Sequence, residues 1–271
     1  MSSLHSLRIL LVSPLLSIPF LLIPLPITLL LVSSLLLLWF YLLSRPSPSF
    51  FSSSSRLLLI IAHPDDETMF FSPLIRNAVR RGVRVFVLCL SSGDFYGEGD
   101  TRRKELFNAV LPLGIDPSDV TVMDLDECKD GGEWSPSLLL PLIRRFVLSL
   151  DVQLVVTFDD VGVSGHSNHT ACSLAIKAAR SILPSGVELL RLESPSLIRK
   201  YSSIFSLLIS FFRDSPQSTV ISSPSDIIST WRAMGEHRSQ LLWFRYLYML
   251  TSSLLFTNSF TRVPTRVRST Y

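Results

Sequence analysis

Residues 62–67 place one imidazole and three carboxylates in a single short segment, Ala-His-Pro-Asp-Asp-Glu. The segment follows an apolar run typical of a buried strand, where so many titratable groups are unfavourable for a core and typical of a metal site. Pro64 fixes φ and lacks an N–H, which suits the first turn of a helix. A helix that begins there would place His63 and Asp66 on one face, close enough to share an ion. Asp65 would then point elsewhere and could act on a bound water.

A second cluster contains His166 and His169, which are also three residues apart, at the start of a predicted helix. Together with His63 and Asp66, these residues can supply two imidazoles and a carboxylate. Three protein ligands with an open position are typical of a catalytic zinc, although Fe(II) accepts the same donors. Zinc lowers the pKa of its bound water to about 7. Asp65 could take the proton of that water as it attacks a carbonyl carbon, while His166 stabilises the oxyanion or protonates a leaving amine.

Each cluster also has a simpler interpretation. The His-Pro-Asp-Asp segment could be a capped helix start with solvated carboxylates, and His166 and His169 could only cap and line a loop. Both clusters, however, follow apolar runs that are predicted to be strands of the same sheet. That common position favours one shared site over two unrelated caps.

Apolar runs alternate with helical patterns after residue 56. The predicted strands are residues 57–62, 83–90, 120–125, 153–158 and 187–192. The predicted helices are residues 73–81, 100–113, 136–150 and 168–183. This alternation predicts a Rossmann-like α/β fold, a mostly parallel sheet with helices on both faces. Because ligands in such folds bind beyond the carboxyl ends of the strands, we expect the two clusters to meet at one edge.

A long uncharged run, residues 9–43, precedes this region. It exceeds the roughly 20 apolar residues that cross a bilayer, and residues 27–43 form its proline-free part. A cleavable signal peptide is the alternative, but no Ala-x-Ala-like site precedes Ser44, which favours an uncleaved transmembrane helix. One arginine before the run and two after it, Arg45 and Arg56, favour a cytoplasmic location for the rest of the chain.

Three parts are therefore expected: a membrane anchor at 1–43, a Ser/Pro-rich linker at 44–56 and an α/β domain at 57–271. Within that domain, the apolar segments 197–212 and 241–260 could lie on a membrane or pack as core helices, and the sequence leaves both open. The net charge of +3 is too small to indicate nucleic-acid binding. The three cysteines are widely spaced and form no disulfide framework.

The chain resembles the N-acetylglucosaminyl-phosphatidylinositol de-N-acetylase family, within the superfamily of zinc sugar deacetylases. The similarity runs from Leu57 to about Phe260. It rests on four motifs: residues 62–67, residues 101–106 (Thr-Arg-Arg-Lys-Glu-Leu), residues 163–169 (Val-Ser-Gly-His-Ser-Asn-His), and residues 237–240 (His-Arg-Ser-Gln) with 243–245 (Trp-Phe-Arg).

This resemblance implies metal ligands at His63, Asp66 and His169. It also implies a general base at Asp65 and, at His166, a residue that assists the tetrahedral intermediate. The implied activity removes acetate from N-acetylglucosaminyl-phosphatidylinositol, the second step of glycosylphosphatidylinositol-anchor synthesis. The implied location is the endoplasmic reticulum membrane, with one span and a cytoplasmic catalytic domain. A deacetylase for another amide and a non-catalytic lipid-binding subunit are the alternatives.

Four further residues have two interpretations each. Arg102 matches a basic position near the substrate and could pair with the phosphodiester, or it could be a solvent-facing helix charge. Asp159 and Asp160 could orient a ligating histidine or cap a loop. Trp134, which follows Asp130 in another loop facing the site, could stack on a sugar ring or close the core, and the second is favoured.

Overall fold

Five apolar runs form the parallel part of a seven-stranded sheet. The computed structural model describes residues 25–46, 48–51 and 56–264. The strands are β1 (Arg56–Ile61), β2 (Arg84–Cys89), β3 (Val120–Val122), β4 (Leu154–Phe158), β5 (Glu188–Leu192), β6 (Thr219–Ile221) and β7 (Thr257–Arg262). Their order is β3-β2-β1-β4-β5-β7-β6. The predicted mostly parallel sheet is confirmed, because the first five strands of that order are parallel.

Helices flank this sheet and cover its central strands. They are α1 (Leu25–Leu43), α2 (Asp66–Met69), α3 (Ser72–Arg80), α4 (Gly99–Leu113), α5 (Pro136–Ser149), α6 (Gly162–Gly165), α7 (Ser167–Ala179), α8 (Leu197–Lys200), α9 (Ser206–Arg213), α10 (Pro224–Glu236) and α11 (Trp243–Thr251). Helix α4 packs on α10, and α5 packs on α7. Because β1 is covered on both faces, the consecutive residues Leu59, Ile60 and Ile61, which point to alternate faces, are each 0% exposed.

The C-terminal third departs from a simple α/β repeat. Strand β7 is antiparallel to both β5 and β6, and neither β6 nor β7 follows from an apolar run. The segment 241–260 instead divides between α11, a short 3-10 turn and the start of β7. Strand β7 has the sequence Thr-Asn-Ser-Phe-Thr-Arg. Because this sequence is mostly polar, a pattern of apolar residues does not predict the strand.

Helix α1 stands largely clear of the α/β domain. Only Trp39 and Leu42 are buried along its length, and they pack against Leu207 of α9. The helix is long and apolar enough to cross a membrane and contains the predicted span 27–43. Residues 9–24 of the apolar run lie outside the described residues.

Candidate metal site

The turn after β1 leads into a helix that begins two residues beyond Pro64. Helix α2 begins at Asp66, and Asp65 has a φ of 125°, a conformation rare for residues other than glycine. The side chain of Asp66 explains this start, because its Oδ2 accepts the N–H groups of Ala62 at 3.0 Å and His63 at 2.9 Å. The Asp66 carboxylate thus satisfies the two backbone N–H groups that follow β1 through Oδ2. Its other oxygen, Oδ1, points away from the strand end.

Glu67 supports the same turn from a buried position. Its Oε2 accepts the N–H of Asp65 at 3.1 Å, and its Oε1 lies 2.7 Å from His237 Nε2. Both side chains are 0% exposed. Burial alone would lower the pKa of His237, but the Glu67 carboxylate raises it above its usual value. The sequence placed both residues in motifs without indicating that they pair.

The loop after β4 positions the second pair of candidate ligands, His166 and His169. Asp159 Oδ1 accepts the N–H of Gly162 at 3.0 Å, and the Gly162 carbonyl lies 2.9 Å from His169 Nδ1. Gly162 has a φ of 62°, and a Cβ there would approach His169 Cβ to 2.8 Å, so only glycine fits. Asp159 therefore caps the loop, and Asp160 pairs with Lys177 and Arg191; neither aspartate contacts a histidine among the described residues.

The two loops meet at the carboxyl edge of the sheet, as predicted. One ring nitrogen from each of His63, His166 and His169 lies within 4.8 Å of the other two. Asp66 joins them, with its Oδ1 at 3.2 Å from His169 Nε2 and its Oδ2 at 4.0 Å from His63 Nδ1. Asp66 therefore lies within reach of an ion held by His63 and His169.

The donors in this cluster fit a divalent metal. His169 Nε2 is buried and, despite its distance from Asp66, lacks the alignment of a hydrogen bond. A buried imidazole nitrogen without a partner is costly unless a ligand binds it. Two ligand sets share His63 and His169 and are completed by Asp66 or by His166. Asp66 is favoured because an ionised, buried carboxylate faces both shared histidines.

Charge interactions in the cluster stabilise an ionised Asp66. Burial alone would raise the pKa of Asp66, but His169 and His63 lower it well below its usual range. Burial also opposes a charged His169, yet Asp66 raises its pKa. The pKa of His166 is lowered by burial and by the two neighbouring histidines, which favours a neutral imidazole.

Asp130, in the loop before α5, orients the His63 ring. His63 Nε2 lies 3.0 Å from Asp130 Oδ1 and 3.2 Å from Asn168 Nδ2, which leaves Nδ1 facing Asp66. A carboxylate on the second ring nitrogen is the usual way to orient a metal-binding histidine.

Trp134 is buried, and its indole N–H donates to the Lys129 carbonyl at 2.9 Å, so it closes the core as favoured.

Arg102 lies inside the site, so the solvent-facing alternative is wrong. It is 8% exposed. Its Nη2 donates to the Pro64 carbonyl at 2.8 Å and its Nη1 to the Gly93 carbonyl at 3.0 Å. The guanidinium also lies 3.7 Å from both Asp65 Oδ1 and Asp130 Oδ2. It therefore links three loops of the site.

Arg245 is a site residue that the sequence did not identify as one. Its Nη2 donates to Asp65 Oδ2 at 2.8 Å from α11, far away in the chain. The Trp-Phe-Arg motif was the signal available, but nothing in it indicated the partner. A cavity of about 210 Å³ lies between the two loops and is lined by all six predicted site residues, together with Asp130 and Arg245.

Comparisons with known proteins identify relatives of this chain. Residues 58–180 match the PIG-L family model, described as GlcNAc-PI de-N-acetylase. The N-acetylglucosaminyl-phosphatidylinositol de-N-acetylase of Bos taurus is 41% identical over 204 residues, covering 73% of this chain and 79% of that protein. A probable enzyme of the same name from Schizosaccharomyces pombe is 34% identical over 205 residues, covering 73% and 82%.

A solved structure shares the fold at low sequence identity. The N,N'-diacetylchitobiose deacetylase from Pyrococcus horikoshii superposes with a TM-score of 0.60 at 15% identity, covering 86% of this chain and 93% of that one. At this identity the likeness concerns the fold alone. The sequence relatives decide the family: this chain belongs to the GlcNAc-PI de-N-acetylases.

Proposed function

We propose that this protein hydrolyses the N-acetyl group of N-acetylglucosaminyl-phosphatidylinositol, giving glucosaminyl-phosphatidylinositol and acetate, the second step of glycosylphosphatidylinositol-anchor synthesis. The observation that carries the proposal is the meeting of Asp65, Asp66 and three histidines in one cavity, in a chain 41% identical to a relative of that name.

His63, Asp66 and His169 are the proposed metal ligands, and zinc is the proposed metal, with Fe(II) as the alternative. When bound, such an ion polarises a carbonyl and lowers the pKa of a water to about 7. The donor set supports this choice, because it provides two imidazoles and one carboxylate that line the cavity.

Asp65 is the proposed general base. Hydrogen bonds at both ends hold it in place: Glu67 accepts its backbone N–H at 3.1 Å, and Arg245 donates to its Oδ2 at 2.8 Å. In this role Asp65 takes a proton from the water that attacks the amide carbon, and it returns that proton to the amine as the C–N bond breaks.

His166 is the proposed group that stabilises the oxyanion. It is the N-cap of α7, and its Nδ1 accepts the Asn168 N–H at 3.3 Å. That acceptor role leaves Nε2 to carry the proton, so a neutral His166 can donate toward the cavity. Arg102 is proposed to bind the phosphodiester, since it lines the cavity and two carbonyls fix its orientation.

The proposed location is the endoplasmic reticulum membrane, with α1 as a single span and the catalytic domain in the cytoplasm. The division into an anchor at 1–43, a linker at 44–56 and a catalytic domain at 57–271 is part of this proposal. A glycolipid substrate in the membrane and an anchored enzyme support each other, and no nucleic-acid partner is proposed.

The decisive experiment measures acetate release from N-acetylglucosaminyl-phosphatidylinositol by the purified full chain, with and without a chelator. Asp65→Asn should keep its metal and lose most turnover, about 10²-fold or more. Asp116→Asn is the matched control, because Asp116 is exposed on the turn before β3, at the opposite edge of the sheet. Chelator-sensitive release that only Asp65→Asn abolishes would support the proposal.

Two other outcomes would contradict it. A folded, metal-loaded protein that releases no acetate would indicate a different amide substrate. A protein without metal or activity would favour a non-catalytic membrane subunit.

A further inference from the structure

Large apolar side chains are exposed on three helices of the C-terminal third. Ile198 of α8 is 86% exposed, Phe212 of α9 is 75% exposed and Trp243 of α11 is 78% exposed. Phe205, Leu247 and Leu250 are also exposed, at 64%, 52% and 62%. We call these six residues the apolar face. Soluble monomeric proteins rarely expose a large contiguous apolar patch unless it binds something.

The apolar face continues from the base of α1. Tyr41 of α1 meets Phe211 of α9 edge to face, with their ring centroids 5.9 Å apart. The Arg45 guanidinium lies over both rings, at 5.2 Å and 5.1 Å from their centroids. The turn before α9 then contacts α11, where Ser203 Oγ donates to the Leu250 carbonyl at 2.8 Å. The end of α1 therefore contacts α9, and α11 contacts the turn that leads into α9.

The charge of these segments identifies the surface that they fit. Residues 194–213 and 237–264 contain one lysine and five arginines but no aspartate or glutamate. Three of these arginines pair with carboxylates outside the two segments, whereas Arg213 and Arg238 are exposed. Basic residues beside exposed tryptophan, tyrosine and leucine suit the interface of a membrane with anionic lipids. A bilayer also explains the continuity with α1, because a helix that crosses the membrane brings its neighbours to the membrane surface.

Helix α11 connects this face to the site. Trp243, Leu247 and Leu250 are exposed on it, while Tyr248 is buried and donates from its hydroxyl to the Met69 carbonyl at 2.8 Å. Arg245 of the same helix reaches Asp65 at 2.8 Å. The helix that would rest on lipid therefore also forms one wall of the catalytic cavity.

We infer that the apolar face docks on the lipid leaflet next to α1 and holds the mouth of the site at the bilayer surface. This inference rests on the proposed function, because a glycolipid substrate keeps its acyl chains in that leaflet. The sugar can then enter the cavity past α11 while the lipid stays in the membrane.

Local contact with lipid can be measured without any activity. Trp243→Cys and Leu250→Cys are labelled with an environment-sensitive fluorophore in the full chain, in nanodiscs of phosphatidylcholine and phosphatidylserine. The natural Cys89, Cys128 and Cys172 are buried. Leu111→Cys and Leu148→Cys are matched controls, because they replace leucines that are 56% and 47% exposed on α4 and α5, outside the apolar face.

Doxyl-labelled lipid should quench the label at 243 and 250 and leave the control labels bright. Since α1 keeps every variant on the membrane, the difference reports local contact only. Equal quenching at all four positions, or none at 243 and 250, would overturn the inference. A shielded but unquenched label at 243 would indicate a second protein copy or another partner on this face and would also overturn it.

A kinetic comparison separates this inference from the proposed function. Leu247→Glu with Leu250→Glu should lower kcat/KM for substrate in a bilayer on the order of tenfold, because burying two charges in the interface opposes docking. Hydrolysis of a short-chain, water-soluble analogue should not change. Loss of both activities would refute a docking role for these residues, whereas an unsubstituted, metal-loaded protein inactive on both substrates would refute the proposed function instead.

Discussion

Replacing His237 by alanine should destabilise the protein far more than a substitution on its surface. His237 Nε2 lies 2.7 Å from Glu67 Oε1, and both side chains are 0% exposed. Without the imidazole, a buried carboxylate loses its partner, which costs about 3–5 kcal/mol. In a chain of this size about 1 kcal/mol corresponds to roughly 2–4 °C, so Tm should fall by roughly 6–20 °C.

Thermal unfolding of the full chain in nanodiscs, followed by circular dichroism, measures this change. Arg238→Ala is the control, because it alters the neighbouring exposed residue and should change stability by less than about 0.5 kcal/mol. Adding Glu67→Gln to His237→Ala should recover part of the loss, since a neutral amide is cheaper to bury than a carboxylate. The reasoning is refuted if His237→Ala shifts Tm no more than Arg238→Ala, or if the effects of the two site substitutions simply add.

Three further predictions concern the metal ligands, the general base and the loss of thermal stability at low pH. His169→Ala should lose both metal and activity, whereas His166→Ala should keep stoichiometric metal, measured by mass spectrometry; metal loss in His166→Ala would favour the three-histidine ligand set. Arg245→Ala should retain metal but lower kcat on the order of 10²-fold, because Asp65 loses the donor that orients it; unchanged turnover would remove Arg245 from the site. Burial alone would raise the pKa of Asp226, but its ion pair with Arg80 lowers it, so its stabilising contribution is present above about pH 4 and is lost as pH falls through the lowered value. Asp226→Asn should therefore flatten the fall in Tm between about pH 5 and pH 2, and an unchanged slope would contradict this assignment.

The parallel half of the fold was predictable because its signals are local. Each central strand is a continuous apolar run, and each run ends in a polar loop. A sheet covered on both faces requires continuous apolar runs in its central strands. The alternation of strands and helices brings the polar loops to one edge. The convergence of His63, Asp66, His166 and His169 was predictable for the same reason.

The antiparallel edge was not predictable in the same way. Strand β7 has a polar sequence and pairs at the edge with β6, where neighbouring strands rather than side-chain periodicity decide the structure. The helix start after β1 also depends on tertiary detail, since α2 begins at Asp66, two residues beyond Pro64. The Asp66 carboxylate accepts the N–H groups at the strand end, and that bonding moves the start of the helix to Asp66.

The sequence by itself determined the fold class, the family and the residue types that can hold a metal, since these depend on short patterns in the chain. Only the tertiary structure decided which residues from distant parts of the chain pair with the carboxylates of the site. Arg245 reaches Asp65 across 180 positions and His237 reaches Glu67 across 170, and no local pattern specifies either partner. Such pairs form because the packing of α10 and α11 against the β1 loop buries charges that must be compensated, and that requirement exists only once the chain has folded.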